Sequence, residues 1–252
     1  MRGLPTLSAG PGRPERYVFR FQDSRPETPT ATTFRFSTDG TGFRYRSNQA
    51  IRLILPQVQD PWGPARAFSL SSSPTETGIA AVTVKMTGTP FKQALGALAP
   101  GDEALAIGPL GDLLYDASRD SLFVAGGIGV TPFRGMVKFA TDRGQHRPLR
   151  LLYSARTPEE LAFRTELDAL AQKDAGVEVR YTVTRPAESR TTWRGRIGRI
   201  DERWIRDGLE GLDHPKVFVV GLPEMAEQTL DLLRTRIGVS EDDLEYEFFR
   251  GY

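Results

Sequence analysis

Two short stretches hold residue types that could do chemistry together. In Arg66-Ala67-Phe68-Ser69 a fixed cation, an aromatic face and a hydroxyl fall within four residues. A guanidinium suits a diphosphate, an aromatic ring can stack on an isoalloxazine, and a hydroxyl can hydrogen-bond a flavin nitrogen. Taken alone, the same four residues also read as an ordinary amphipathic strand. The second stretch, Gly126-Gly127-Ile128-Gly129-Val130-Thr131-Pro132, follows the apolar run Ser121 to Ala125 and precedes a helical pattern from Phe133 to Ala140. Glycines there let the backbone approach a ligand, and a helix start favours phosphate through its free N–H groups and dipole. The stretch lacks the third glycine of the usual dinucleotide fingerprint and the lysine of a P-loop, so a plain tight turn stays open.

Two further segments repeat the theme. Thr87-Gly88-Thr89-Pro90-Phe91-Lys92 leads into a helix whose free N–H groups could take the other side of a diphosphate, or is simply a capped turn. Val219-Val220-Gly221-Leu222-Pro223-Glu224-Met225 is another strand, glycine and helix start, which would set a second backbone edge over the same crevice.

The elements that must position these residues fall into two halves. Tyr17 to Phe21, Thr33 to Phe36, Ile51 to Leu55, Arg66 to Ser69, Ile79 to Met86 and Glu103 to Ile107 alternate as strands. Turns are expected at Asp23 to Pro26, Thr38 to Gly42 and Gly108 to Asp112, with a short helix from Phe91 to Leu98. This half reads as an antiparallel β-barrel or sandwich. After it, strands at Leu149 to Ser154, Val177 to Val183 and Lys216 to Gly221 alternate with helices at Pro158 to Lys173, Asp201 to Asp207 and Pro223 to Ile237. That order implies a parallel sheet covered on both faces. The expected division is an arm over 1–14, disordered by its Gly/Pro-rich composition, a barrel domain over 15–116 and an α/β domain over 117–252.

The bulk composition narrows the chemistry. With 252 residues, 39% of them hydrophobic, the chain can bury two cores. The 33 basic and 32 acidic residues give a net charge of +1, so nothing calls for nucleic acid or an anionic membrane. No cysteine is present, which removes thiol catalysis and a Cys-ligated iron–sulfur cluster. His146 and His214 lie far apart, so neither a zinc site nor a Ser-His-Asp triad is expected. No stretch approaches the ~20 apolar residues of a membrane span, and the N-terminus lacks a continuous apolar core. A cytoplasmic protein, a monomer or weak dimer without membrane insertion, is the expectation.

On these motifs in this order, from about Tyr17 to Tyr252, the sequence resembles the ferredoxin–NADP reductase superfamily. Arg66-Ala67-Phe68-Ser69 is similar to its Arg-x-Tyr-Ser/Thr, Gly108-Pro109-Leu110-Gly111 to its Gly-Pro-x-Gly, and the two glycine turns to its nucleotide motifs. The resemblance implies FAD, or less often FMN, in a site drawn from Arg66, Phe68, Ser69, Leu70, Ser71, Lys85, Thr87, Thr89, Phe91 and Tyr252. It implies NAD(P)H against Gly127, Gly129, Thr131, Pro132, Ser154, Arg156, Arg185, Arg190, Gly221, Glu224 and Met225, with catalytic roles for Ser69 and Glu247.

Three departures stand out from the pattern. Phe68 lacks a phenol, Ser47-Asn48-Gln49 replaces Pro-Gly-Gln, and Val220-Gly221 replaces Cys-Gly. The aromatic end, Phe248, Phe249 or Tyr252, would either cover the flavin or dock the last strand. Arg156, Arg185 and Arg190, after successive strands, favour NADPH over NADH if they meet a 2′-phosphate; they read equally as solvated loop charges. The implied acceptor is a separate ferredoxin, flavodoxin or oxygenase component. Direct reduction of quinones, free flavin or ferric chelates, a non-catalytic redox-sensing module and an interaction protein that lost its cofactor are the alternatives.

Overall fold

The computed structural model describes residues 14–111, 115–144 and 147–249. The expected N-terminal arm lies, apart from Pro14, outside the described residues. Six strands form the first sheet: β1 (Glu15–Thr28), β2 (Ala31–Ser37), β3 (Ala50–Ile54), β4 (Ala65–Ser69), β5 (Ile79–Lys85) and β6 (Glu103–Leu110). They run antiparallel in the order β4-β3-β6-β1-β2-β5. A bridge between Leu70 and Val82 brings the two ends of the sheet together, closing it towards a barrel. Alternation along the strands turns Phe19, Phe34, Phe36, Ile51 and Leu53 inward, where each is essentially inaccessible. The helix α1 (Pro90–Gly96) adds Phe91 and Leu95 to the same core.

Some expectations about this half need correction. The expected turn at Asp23 to Pro26 lies within β1, which accommodates it with register irregularities between Phe21 and Asp23 and between Pro26 and Thr28. Bulged geometry is what lets a strand tolerate Pro26. Gly108-Pro109-Leu110, expected as a turn, continues β6, and the helix ends at Gly96 rather than Leu98.

The second sheet is parallel throughout, in the order β10-β9-β8-β7-β11-β12. Its strands are β7 (Ser121–Gly126), β8 (Leu149–Ala155), β9 (Val177–Val183), β10 (Arg196–Ile197), β11 (Lys216–Gly221) and β12 (Leu244–Phe248). The crossover helices are α2 (Thr131–Arg143), α3 (Arg164–Lys173), α4 (Glu202–Leu209) and α5 (Pro223–Asp231), the last continuing as π-helical turns to Ile237. Buried alternate residues of β7 and β11 serve opposite faces. Phe123, Ala125, Phe218 and Val220 join one core with Phe133 and Leu167, and Leu122, Val124, Val217 and Val219 join another with Ile205 and Leu230. Because β7 is followed on one side by β8 and on the other by β11, the connection reverses there, which makes a crevice at the strand ends.

The expected helix from Pro158 to Lys173 is broken. Leu161, Ala162 and Phe163 drop into the core, Phe163 takes a left-handed φ of 61°, and the Ala162 N–H donates to the Tyr153 hydroxyl at 3.0 Å. Burial of three consecutive apolar residues is incompatible with one helical face, so the helix starts again at Arg164. Asp201 stands just outside α4 and caps it by accepting the Trp204 N–H. Among the described residues no helix is long and apolar enough to cross a membrane.

The two sheets meet along α2. A Cβ on Gly135 would lie 2.8 Å from the Ser72 carbonyl oxygen, so only glycine lets the helix approach the barrel this closely. Next to it, the Arg134 guanidinium donates to the Ser71 carbonyl at 3.1 Å and pairs with both Glu76 of the barrel half and Glu166 of α3. Its side chain is only 11% exposed, and the two carboxylates hold its pKa above the ordinary guanidinium value against the opposing cost of burial. Removing the cation alone would leave two half-buried carboxylates facing each other. Arg134→Met is therefore expected to lower the unfolding free energy in urea by about 2 kcal/mol, and adding Glu76→Gln and Glu166→Gln to recover most of it. Gly129→Ala, whose Cβ would stand 2.3 Å from the Val220 carbonyl oxygen, is expected to cost about 2 kcal/mol or more in the same assay.

Candidate active site

Strand β4 runs along the mouth of the barrel with Ser69 opposite Ala50 and Arg66 opposite Leu53 of β3. Arg66 is anchored by the loop before it. Its guanidinium faces Asp60 Oδ1 at 2.6 Å, donates to the carbonyls of Gly63 and Ala65 at 2.8 Å, and lies 5.2 Å from the Phe91 ring centroid. Asp60 is fully buried as a side chain and also accepts the N–H groups of Trp62 and Phe91. The Trp62 N–H bond leads the causes that hold its carboxyl below the usual value; those of Phe91 and Arg66 add to it, against burial.

Two lysines complete a cationic cluster. Lys92 is buried, its ammonium donating to Thr87 Oγ1 at 3.0 Å, and its pKa is depressed first by burial and then by the nearby charges of Arg66 and Lys85. Asp60 is the carboxylate against Arg66 in this cluster, and the three cations together suit a diphosphate. Phe68 stands beside them, partly buried, with its ring centroid 6.1 Å from that of Phe91. The donor set fits a flavin nucleotide: cations for the diphosphate, an aromatic face for the ring and the Ser69 hydroxyl at the far end of β4.

The remaining barrel candidates have other duties. Thr89 caps α1, accepting the Lys92 N–H at 3.4 Å, while the Phe91 N–H goes to Asp60 and the Gln93 N–H to the Thr89 carbonyl. The first turn of α1, expected to offer free N–H groups to a phosphate, thus already has its own acceptors. Leu70 is core, and the Ser71 hydroxyl is held inside the barrel between Thr83 Oγ1 at 2.9 Å and the Ala81 carbonyl at 3.2 Å. Both side chains are buried.

Ser69 and Glu247, 178 residues apart in sequence, come together across the two halves. Pairing of Val220 with Glu247 places the carboxyl at the end of β12, beside the crevice. There the Ser69 hydroxyl donates to Glu247 Oε2 at 3.5 Å. Burial pushes the Glu247 carboxyl up to about 7, and the serine bond only partly opposes it. A carboxyl that shares a hydroxyl and titrates near neutrality is able to hold or release a proton at working pH.

The glycine turns do two kinds of work. Gly127 has a left-handed φ of 54° with open space where a Cβ would be. Gly126 and Gly221 instead make room for Met225, whose Cε lies 2.2 and 2.5 Å from their ideal Cβ positions, and Gly129 packs on the end of β11. Fixed backbone, the Val220 carbonyl, requires glycine at 129, whereas at 126 and 221 the neighbour is the flexible end of Met225. Thr131 and Pro132 open α2 and are buried; α2 continues from a 3₁₀ turn over Gly127–Val130, with the Thr131 N–H donating to the Ile128 carbonyl. Neither that turn nor α5 has a side-chain cap at its start, which leaves two uncapped helix starts, at Gly127 and Pro223, at the switch point. Glu224 is turned outward to Arg199 at 3.3 Å.

Farther along the sheet, the Thr184 and Arg185 N–H groups donate to the carbonyls of Ala155 and Arg156, joining the loops after β8 and β9. Ser154 is buried, Arg156 and Arg190 are exposed, and Arg185 pairs with Glu188 at 3.3 Å. Among the described residues Arg156 has no ion-pair partner. The loop of Arg190 is itself folded around an anion: Glu159 Oε1 accepts the N–H groups of Arg190 and Thr191 and the hydroxyls of Ser189 and Thr191. Those bonds, that of Ser189 foremost, hold the Glu159 carboxyl down to about 2. Phe248 and Phe249 dock the last strand: Phe248 pairs with Gly221 and the Phe249 N–H donates to the Gly221 carbonyl at 2.8 Å. Tyr252 lies outside the described residues.

Asp60, Lys92 and Glu159 were not singled out by sequence. Lys92 sits in the quoted Thr-Gly-Thr-Pro-Phe-Lys segment and could have been found by its proximity to Phe91. Asp60 and Glu159 act through loop folding and left no periodic signal.

Comparison with known proteins agrees with this geometry. Residues 123–231 match the oxidoreductase NAD-binding domain family. The chain is 31% identical to ferredoxin–NADP reductase B of Sorangium cellulosum, over 92% of this chain and 97% of that one. It is 31% identical to a stachydrine N-demethylase reductase subunit of Rhizobium meliloti, over 78% of this chain and 56% of that protein, so it spans about half of this longer relative. In structure it is similar to a cytochrome P450 reductase of Amycolatopsis, with a TM-score of 0.79 at 19% identity, covering 94% of this chain and 70% of that one. Two sheets in this order, the cationic barrel mouth, the switch-point glycines and a full-length relative of this kind place the chain in the ferredoxin–NADP reductase superfamily of oxidoreductases.

Proposed function

We propose that the chain is a flavin-dependent NAD(P)H reductase that passes electrons to a separate acceptor protein, with residues 15–116 holding FAD and 117–252 holding the nicotinamide nucleotide. The single observation that carries this reading is the meeting of Ser69 and Glu247 at the crevice between the halves. When bound, a flavin takes two electrons with hydride from a reduced nicotinamide and releases them one at a time or as a pair.

The chain's own residues supply position and charge. Arg66, Lys85 and Lys92 neutralise the flavin phosphates, Phe68 gives the ring a face to lie against, and the two uncapped helix starts with Gly127 receive the phosphates of the nicotinamide nucleotide. The Ser69 hydroxyl, donating to Glu247 Oε2, holds that partly buried carboxyl beside the crevice, where it can take up or release a proton. The missing thiol at Val220 removes no group that a hydride transfer requires. Relatives named as reductase subunits of an N-demethylase and of a monooxygenase support a protein acceptor, and the exposed Arg156 supports NADPH as the donor.

The direct test is anaerobic addition of NADPH, and separately NADH, to the flavin-loaded protein. Rapid loss of the visible flavin band supports the reading, and a band that neither nucleotide bleaches contradicts it. Ser69→Ala and Glu247→Gln are each expected to slow that bleaching roughly a hundredfold, within the range of a lost acid–base group. Glu247 also makes a stability prediction. Its folded pKa of about 7 exceeds the ordinary 4.5, so the folded chain binds more protons in that window and loses stability as pH rises through it. Glu247→Gln should therefore raise the unfolding free energy by about 2 kcal/mol near pH 8 and leave it unchanged near pH 4. For the donor, Arg156→Ala should raise KM for NADPH roughly tenfold more than for NADH, the equivalent of about 1.4 kcal/mol.

A further inference from the structure

Trp62 is the most exposed large hydrophobic side chain among the described residues, with 83% of its surface open. Indole rings are normally well buried, so an exposed one on a well-held loop is a surface built for contact. The loop holds it firmly. Pro61 precedes it, Asp60 Oδ1 accepts its N–H at 2.8 Å, and the Asp60 carbonyl accepts the Gly63 N–H at 2.8 Å, closing a tight turn. From the other side, Arg66 Nη1 donates to the Trp62 carbonyl at 3.2 Å and to the Gly63 carbonyl at 2.8 Å. The backbone of Trp62 is thus tied directly to the guanidinium at the centre of the cationic cluster.

The order of groups along this part of the chain matters. Ser69, beside Glu247, marks one end of β4; Phe68 follows; and Arg66 lies three residues back, roughly 10 Å along an extended strand. Trp62 lies at the cluster's end of β4, within the turn that Arg66 clasps. A hydroxyl and a ring face, then a cation cluster, then a free indole repeat the order of a flavin dinucleotide: isoalloxazine, diphosphate, adenine. A mononucleotide would end at the cations and leave the indole uncovered.

We infer that Trp62 is the platform on which the adenine of FAD stacks, and that this residue makes the chain select FAD over FMN. The inference rests on the flavin reading above and deepens it. Because base-on-aromatic stacking is sequence-tolerant and involves only the ring faces, it needs no further hydrogen-bond partner from the loop.

Calorimetric titration of the full chain, stripped of flavin, with FAD and with FMN tests it. The wild type should bind FAD more tightly than FMN. Trp62→Ala should weaken FAD roughly tenfold to a hundredfold, leave FMN unchanged, and so collapse the preference. Trp62→Phe should keep most of it. An independent readout is the indole emission, which FAD should quench more than FMN in the wild type because only its adenine touches the indole, with that extra quenching missing in Trp62→Phe. At 83% exposure Trp62 carries little of the fold, and an unchanged melting temperature would verify this. If both flavins bind but Trp62→Ala leaves their ratio unaltered, or weakens both equally, the role of Trp62 is overturned and the flavin reading stands. If the wild type binds neither flavin, both are overturned.

Discussion

Ser69 and Glu247 belong to different sheets, and their meeting depends on how those sheets are held. Neither sheet can set this by its own hydrogen bonds, because each is complete in itself. The Arg134 guanidinium, shared by Glu76, Glu166 and the Ser71 carbonyl, fixes α2 against the barrel, and Gly135 removes the one atom that would keep them apart. From α2 the constraint passes to β7 and β11 through Gly129 on the Val220 carbonyl, and from β11 to β12 by strand pairing. Glu247 stands at the end of that chain of contacts. Its raised pKa follows from being delivered into a place where water does not reach freely.

Charge in the barrel mouth is arranged with equal economy. Asp60 is the one buried carboxylate placed against Arg66, and it organises the turn, the guanidinium and the first N–H of α1 together. Arg66, Lys85 and Lys92 gather around it, and the pKa of Lys92 is depressed first by its burial and then by the charges of the other two. The flavin phosphates proposed for this site would add negative charge beside these cations. On the nucleotide side the balance is different: Glu159 already fills an anion-binding loop and Arg185 has its own partner, so Arg156 and Arg190, both exposed and without an ion pair among the described residues, carry the free positive charge there.

Much of this was legible in the sequence. Strand alternation in the first half and the strand–helix alternation in the second come from burial of one face or of both, which periodicity reports directly. The glycine turns, Arg66, Phe68 and Ser69 were legible because their chemistry is tied to residue type. Reasons were harder to read than places. Gly129 reads as a ligand-approach glycine and also has a packing reason that no local window shows, the Val220 carbonyl 2.3 Å from its ideal Cβ position. The Thr89 hydroxyl looks like a phosphate ligand but caps its own helix. Pro26 looked like a turn and lies in a bulged strand; Leu161 to Phe163 looked helical and are pulled straight into the core. In each case a tertiary neighbour, absent from any local window, decided the outcome.

The most direct test of this account is an infrared titration of the carboxyl stretch in the wild type and in Glu247→Gln. The account predicts one protonated carboxyl that persists well above the ordinary carboxylate range, titrates near pH 7 and is missing from the variant. If the wild type retains no protonated carboxyl above about pH 5, close to the ordinary glutamate value, Glu247 is not buried against Ser69 and the central contact is wrong.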